Sequence, residues 1–382
     1  MTGLLVHEWV ERSGGAERVL DIFAEMFPDA PVFALWDDDP ERYFGRVSES
    51  WMAKTLLRRH KAAAVPLLPR LWRSVHAEAR PDWLLVSSHL FAHHVRLQNY
   101  PDVPKLVYAH TPARYIWEPS LDRRGNSPIA KAGAAVLKPI DRRRAQEAHA
   151  IAVNSKFTQD RVRRSWEREA TVIYPPVDVT RITSAGDWRE RLSDEDLAAL
   201  TSLPNQFVLG ASRFVPYKRL HLVIECAEAN GVPAVIAGGG PQRQYLLERA
   251  RSASVPVHIV DRPSDPLLYA LYQASLAFVF PGIEDFGIMP VEAMATGTPV
   301  IVPAVGGAAE SITMMEGGSI FEDESVQSWR NALEKAVGIE ATALSKRVSY
   351  FDIPSFRARI ESWMHMTLSE PLDRKELASS VI

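Results

Sequence analysis

The feature that most constrains this chain is an alternation that runs through it twice. In the first half, short apolar runs at residues 4–6, 32–35, 83–86, 106–108, 151–153 and 171–173 are separated by helical patterns such as 16–26 and 157–166. In the second half the runs fall at 207–210, 234–237, 257–260, 276–280 and 299–302, with helices expected over 218–229, 242–251, 266–273, 290–295 and 326–337. Unbroken apolar runs alternating with helices are the pattern of βαβ units, whose strands are buried on both faces of a parallel sheet. The two halves meet at Tyr174-Pro175-Pro176-Val177-Asp178, where consecutive prolines fix φ and stiffen the join. The expected fold is α/β: two doubly wound, Rossmann-like parallel-sheet domains, 1–175 and 176–350, facing across a cleft. Residues 351–382, one more helix and a polar tail, are expected to pack back on the first domain. Ligands of such sheets sit beyond the carboxyl ends of the strands, so the loops there are where chemistry is sought.

Composition narrows the partners. With 46% hydrophobic and 24% charged residues the chain is an ordinary globular one, and a net charge of −3 excludes a uniformly basic nucleic-acid binder. A single cysteine, Cys226, forms no internal disulfide and points to a reducing compartment. No apolar run reaches the ~18 residues of a membrane span, and the amino terminus turns charged at Glu8, so a cytoplasmic protein is expected. The charge is uneven: 26 Lys/Arg against 21 Asp/Glu through Pro176, and 18 against 26 beyond it. Residues 54–73 carry Lys54, Arg58, Arg59, Lys61, Arg70 and Arg73 with no acid, and residues 123–144 hold seven basic residues against Asp141 alone. In 54–73 the cations interleave with Leu56, Leu57, Val65, Leu67, Leu68, Leu71 and Trp72. That mixture suits an anionic membrane surface and a peripheral location; it equally suits a solvated basic face on ordinary helices.

Four loops follow expected strands. Gly14-Gly15, before a helix, reads either as an anion cradle of backbone N–H groups or as a plain helix-start turn; it lacks the Gly-Lys-Ser/Thr ending of an ATP-binding loop. Arg213 and Lys218 sit where a strand gives way to a helix and suit a diphosphate, or are two solvated cations. Gly238-Gly239-Gly240-Pro241 has no third glycine of the dinucleotide pattern, Arg243 standing there, although Asp261 follows where a ribose-binding acid would. The most informative stretch is Glu284-Asp285-Phe286-Gly287-Ile288-Met289-Pro290-Val291-Glu292. Two carboxylates flanking the N–H groups of a helix start can hold the hydroxyls of a polyol at one end and a diphosphate beside it. Glu292 alone reads as a first-turn acid that interacts favourably with the helix dipole.

Glu284 through Glu292 resembles the Glu-x₇-Glu signature of retaining glycosyltransferase family 4, enzymes of the GT-B fold. The Gly14-Gly15 loop, Arg213 with Lys218, the Tyr-Pro-Pro-Val-Asp join and the Gly-Gly-Gly-Pro turn agree with it. Tyr108-Ala109-His110-Thr111-Pro112-Ala113-Arg114-Tyr115-Ile116-Trp117 is similar, more loosely, to bacterial mannosyltransferases of O-antigen and related glycan assembly. The resemblance implies that Arg213 and Lys218 clamp a donor diphosphate, which the Gly15 amide reaches from the other domain. It implies that Glu292 holds ribose, that Glu284 and the backbone at Phe286, Gly287 and Ile288 hold the donor sugar, and that His110 contacts the sugar near its anomeric centre. The activity implied is retaining transfer, best matched by mannose from GDP-mannose, to a glycan or lipid-linked acceptor. No cofactor and no metal are expected. Asp37-Asp38-Asp39 and Asp194-Glu195-Asp196 contain Asp-x-Asp, but the first lies in an acidic loop and the second opens a helix capped by Ser193. A nucleotide-sugar epimerase of similar fold, a nicotinamide enzyme and a non-catalytic nucleotide- or glycan-binding module are the alternatives.

Overall fold

The computed structural model describes residues 2–12, 14–119 and 127–369. The chain divides into two units, Met1–Pro176 with Phe356–Ile382, and Val177–Ser355. The first holds a parallel sheet of β1 (Gly3–His7), β2 (Val32–Ala34), β3 (Val47–Glu49), β4 (Trp83–Ser88), β5 (Lys105–Ala109), β6 (Ala150–Val153) and β7 (Thr171–Val172), in the order β3-β2-β1-β4-β5-β6-β7. Its central strands β1, β4 and β5 are buried along their whole length. Helices cover the sheet by ordinary means. Gly15–Met26 buries Val19, Leu20, Ile22 and Phe23, and Lys156–Trp166 is capped by Ser155, whose Oγ accepts from the Thr158 amide. From Phe356 the last helix, Ile353–Ser369, belongs to this unit, the Phe356 ring packing 5.9 Å from Phe23 and 5.8 Å from Tyr108.

The second unit is a six-stranded parallel sheet of β8 (Val208–Arg213), β9 (Ala234–Gly239), β10 (Val257–Asp261), β11 (Ala277–Val279), β12 (Val300–Pro303) and β13 (Gly318–Phe321), ordered β10-β9-β8-β11-β12-β13. The helices His221–Asn230 and Val326–Val337 pack with Phe214 and Phe321 into its core. In both sheets the strand order reverses once, between β1 and β4 and between β8 and β11. Those reversals open the crevices in which doubly wound folds bind ligands.

Two strands were not expected. β3, Val-Ser-Glu, is a partly exposed edge strand with one apolar residue, so no apolar run announces it. β13 begins at Gly318, where a Cβ would lie 1.9 Å from the Val300 carbonyl oxygen; the glycine that reads as a turn is what lets the strand approach β12.

Candidate functional site

Of the site residues expected from the sequence, seven lie in the second unit: Arg213 and Lys218 at and after the end of β8, and Glu284, Phe286, Gly287, Ile288 and Glu292 after β11, the two strands that flank its crevice. Arg213 ends β8, and its guanidinium donates to the Tyr217 hydroxyl at 2.9 Å. The expected helix over 218–229 starts later. Pro216–Lys218 is a single 3₁₀ turn, Arg219 is left-handed (φ 53°), and the α-helix opens only at His221. Lys218 is therefore positioned by this turn and not by a helix N-terminus. Its ammonium is ion-paired with the Glu284 carboxylate, both side chains being mostly buried. Gly282 permits the approach: a Cβ there would sit 3.3 Å from the Lys218 Cα.

Beyond Glu284 the loop turns at Gly287 (φ 91°) into the helix Ile288–Ala295, whose first turn no side chain caps. Its N–H groups face the loop end, where a polyol or anion can accept them. The helix starts two residues before the expected Pro290, so Glu292 lies in its second turn. The reading of Glu292 as a first-turn acid stabilising the helix dipole is thus corrected: it is a buried carboxylate, 4% exposed, that needs polar partners. Phe286 is buried against Phe351, with ring centroids 5.6 Å apart, and fixes the loop from below.

Sequence reading missed a second support. Gly306 (φ 117°) and Gly307 lead into the helix Gly307–Met315, and the Gly307 amide donates to the Glu284 carbonyl at 2.8 Å. A Cβ on Gly307 would lie 2.1 Å from the Asp285 carbonyl oxygen. The Gly-Gly pair after a strand was the available signal; what it packs against was not.

The Gly238-Gly239-Gly240 turn approaches β8 closely, a Cβ on Gly238 meeting the Ser212 carbonyl oxygen at 1.9 Å. Asp261, where a nicotinamide enzyme would place its ribose acid, is taken in a two-pronged pair by Arg243 at 2.5–3.0 Å. Asp194-Glu195-Asp196 opens a helix with Ser193 as cap. Asp38 pairs with Arg58, while Asp37 accepts from the Asp39 amide.

In the first unit Gly14 precedes the helix Gly15–Met26, with no side chain capping its start. His110 follows β5 directly and is held on three sides. Its amide donates to the Ser88 carbonyl at 2.8 Å, its carbonyl accepts from Asn154 at 2.9 Å, and its Nε2 lies 2.8 Å from the Ser87 hydroxyl. Burial, reinforced by the neighbouring His89 and His7, pushes its pKa down to about 3, so the ring is neutral. Ser87 Oγ is also 3.0 Å from His7 Nδ1, and His7 Nε2 lies 4.0 Å from Glu17. Glu17 is pulled down to about 2 because His7 and its own backbone N–H outweigh the opposing effect of burial.

Beside this chain Glu8 is fully buried and accepts from the amides of His89, Leu90 and Ala92 at 2.7–3.0 Å. Burial opposes its ionisation, but His89, His7 and the Ala92 and His89 amides keep it below the usual carboxylate range. The crevice between β1 and β4 is thus lined by His7, Glu8, Ser87 and His89, none of which sequence reading singled out as a site residue. Their partners are some 80 residues away, as in the pair Ser87 and His7.

His7, Glu8 and His89, like His93, His94 and Asp141, bring possible metal-ligand atoms within 4.8 Å of one another. The carboxylates in both groups already accept several hydrogen bonds; Asp141 takes those of the Trp117 and Trp166 indoles at 2.6 and 2.7 Å and lies 2.8 Å from His94 Nε2. These donor sets fit hydrogen-bonded cores as they stand.

The basic run 54–73, acid-free in sequence, is not so in space. Arg58 pairs with Asp38, Lys61 with Glu11 and Arg73 with Glu147, while Leu68, Leu71 and Trp72 are core residues. What stays exposed is Trp51, Leu56 and Leu67 with Lys54, Arg59 and Arg70. Of the second basic run, Arg123 and Arg124 lie outside the described residues. Among the described residues no helix is long and apolar enough to cross a membrane.

Residues 13–181 match the family described as Glycosyltransferase Family 4, and residues 195–350 match Glycosyl transferases group 1. The alpha-1,3/1,6-mannosyltransferase alg-2 of Neurospora crassa is 25% identical over 268 residues, 59% of this chain and 56% of that protein. The D-rhamnosyltransferase WbpZ of Pseudomonas aeruginosa is 30% identical over 152 residues, 38% of this chain and 37% of that one. The chain spans about half the length of the curated relatives it matches. Among solved structures, Anabaena HepE in complex with UDP superposes with a TM-score of 0.69 at 18% identity, covering 96% of this chain and 100% of that one. Sucrose-phosphate synthase of Thermosynechococcus elongatus gives 0.70 at 16% identity, covering 96% and 99%. Two parallel sheets, each with its crevice, and two family matches laid end to end over them place this chain in glycosyltransferase family 4, with the GT-B fold.

Proposed function

We propose that the protein is a retaining glycosyltransferase that moves a sugar from a nucleotide-diphosphate donor to a glycan or lipid-linked acceptor, without a metal ion, and that mannose from GDP-mannose is the transfer it best fits. The observation that carries the reading is the Lys218–Glu284 pair beside the uncapped helix start at Gly287. A cation for a leaving diphosphate, a carboxylate for sugar hydroxyls and free N–H groups then stand together at one crevice. The acceptor hydroxyl attacks the anomeric carbon as the bond to the diphosphate breaks. The nucleoside diphosphate leaves with the bonding pair and takes up the hydroxyl proton. Lys218 and Arg213 offset the charge that develops on the leaving group, and preorganised charge of this kind supplies much of the rate enhancement in many enzymes. Glu284 and the backbone at Phe286, Gly287 and Ile288 hold the sugar, Glu292 the ribose, and the neutral His110 hydrogen-bonds the sugar near the anomeric centre.

The name of the Neurospora relative supports mannose. The exposed Trp51, Leu56 and Leu67 among Lys54, Arg59 and Arg70 support docking on an anionic membrane, where a lipid-linked acceptor would lie. The test incubates the protein with GDP-, UDP-, ADP- and dTDP-sugars and polyprenyl-diphosphate-linked acceptors, following the anomeric protons by NMR. One donor should be consumed with formation of an α-linked product from an α-linked donor. Conversion of a donor to an isomer without acceptor would replace transfer by epimerisation. Flotation with anionic vesicles at low salt and release at high salt tests the membrane contact.

A further inference from the structure

The crevice residues of the first unit lie at the carboxyl ends of its strands; a second concave site lies at the other end. A cavity of roughly 420 Å³ opens at the amino-terminal ends of β4 and β5. Arg73, Arg96, Lys105, Arg143 and Arg144 line it, against two acids, Asp102 and Glu147. Both acids are already in use. Asp102 is held by both guanidinium arms of Arg80, which does not line the cavity, at 3.0 and 2.7 Å. Glu147 is divided among Arg73, Arg144 and, at 3.8 Å, Lys105.

The Lys105 ammonium also donates to the His93 and Val95 carbonyls at 2.6 and 3.0 Å, but two of the five cations are less well served. Among the described residues Arg96 and Arg143 form no ion pair, Arg96 reaching only the Pro101 carbonyl at 3.3 Å. Arg144 Nε is buried with no hydrogen-bond partner. Burial, opposed by Glu147 but reinforced by Arg73, Arg144 and Arg96, pushes Lys105 down to about 7. Like charges held this close to one another are costly, and an anion among them offsets that cost. Apart from Gln146, the remaining wall is apolar: Leu84, Val95, Leu97, Pro101, Val103 and the ring of Tyr100.

We propose that this cavity binds a phosphate-bearing ligand with an apolar portion, at a site separate from the crevices at the carboxyl ends of the strands. The arginine forks take the phosphate oxygens, and the aliphatic wall takes the carbon chain next to them. A soluble phosphate ester and the headgroup of an anionic lipid share that chemistry.

The test is titration calorimetry of the full chain with hexyl phosphate, inorganic phosphate and hexanol, with Arg96→Gln/Arg143→Gln as the site variant. Both arginines are exposed, so the fold should survive their replacement. Hexyl phosphate should bind at least about tenfold more tightly than inorganic phosphate, hexanol should not bind, and the double variant should weaken hexyl phosphate about tenfold or more. Lys218→Ala should leave that binding intact, which separates this site from the proposed donor site. Vesicles of phosphatidylglycerol and phosphatidylcholine distinguish the sources. Flotation lost in the double variant identifies a lipid headgroup, and flotation unchanged while hexyl phosphate binding is lost identifies a soluble ester. No binding of hexyl phosphate, equal affinity for inorganic phosphate, or binding unchanged in the double variant would overturn the proposal.

Discussion

Lys218 and Glu284, 66 residues apart in sequence, are ion-paired at the carboxyl end of the second sheet. In the proposed complex Lys218 faces a diphosphate and Glu284 a sugar. Donor binding must then draw the ammonium away from the carboxylate, and the free protein keeps its phosphate-binding charge partly neutralised.

Glu284→Gln should therefore bind a bare nucleoside diphosphate more tightly than the parent, by roughly three- to tenfold, since the ammonium no longer competes with a carboxylate. Its turnover with the donor sugar should fall by about a hundredfold, because the group that aligns the sugar is lost. Calorimetric titration with donor kinetics checks both; weaker diphosphate binding with normal turnover would reverse the assignment of the two residues.

Glu292 is assigned to ribose, a part of the donor that does not change during reaction. Glu292→Gln should raise the Kd for nucleoside diphosphate and the KM for donor together, by about tenfold, and leave kcat within about threefold. A loss confined to kcat would move Glu292 towards the reacting sugar.

Ser87→Ala removes the hydroxyl shared by His110 and His7. The cost in stability should be about 1 kcal/mol by chemical denaturation. Beyond that, kcat should drop about tenfold with nucleoside diphosphate affinity unchanged, because only the orientation of His110 is altered. Equal effects on kcat and on diphosphate binding would mark Ser87 as a purely structural residue.

Several histidines are buried in the neutral form, His94 at about 4 and His110 at about 3, burial being the main cause in each. Unfolded, each returns to about 6.5. Between pH 6.5 and 4 the unfolded chain binds protons that the native state refuses, so stability is full above about pH 6.5 and declines as the pH falls through this window. Each unit of depression is worth about 1.4 kcal/mol. Urea midpoints at pH 7.5, 6 and 5 should decrease in that order; a flat profile would mean these histidines are protonated in the native state.

Patterning by itself exposed the two-sheet architecture because the strands of a doubly wound fold are buried on both faces, and burial leaves uninterrupted apolar runs such as Leu4-Leu5-Val6. It failed at β3, where one face is solvated, and at β13, where packing selects a glycine. The Glu284–Glu292 loop was legible because its residues are neighbours in sequence. The helix start was not, since Gly287 and not Pro290 turns the chain. The Glu8 cradle, the Ser87–His110 contact and the Lys218–Glu284 pair join residues tens of positions apart; only the strand order of the sheets brings them together.

The most direct check on the proposed donor site is calorimetric titration of the parent protein and Lys218→Ala with GDP, UDP, ADP and dTDP. At least one nucleoside diphosphate should bind the parent saturably, and Lys218→Ala should lose about 1.5–3 kcal/mol of that binding, the worth of a charge-assisted hydrogen bond. Failure of all four to bind the parent, or equal affinity in parent and variant, would contradict the assignment of this crevice to a nucleotide-sugar donor.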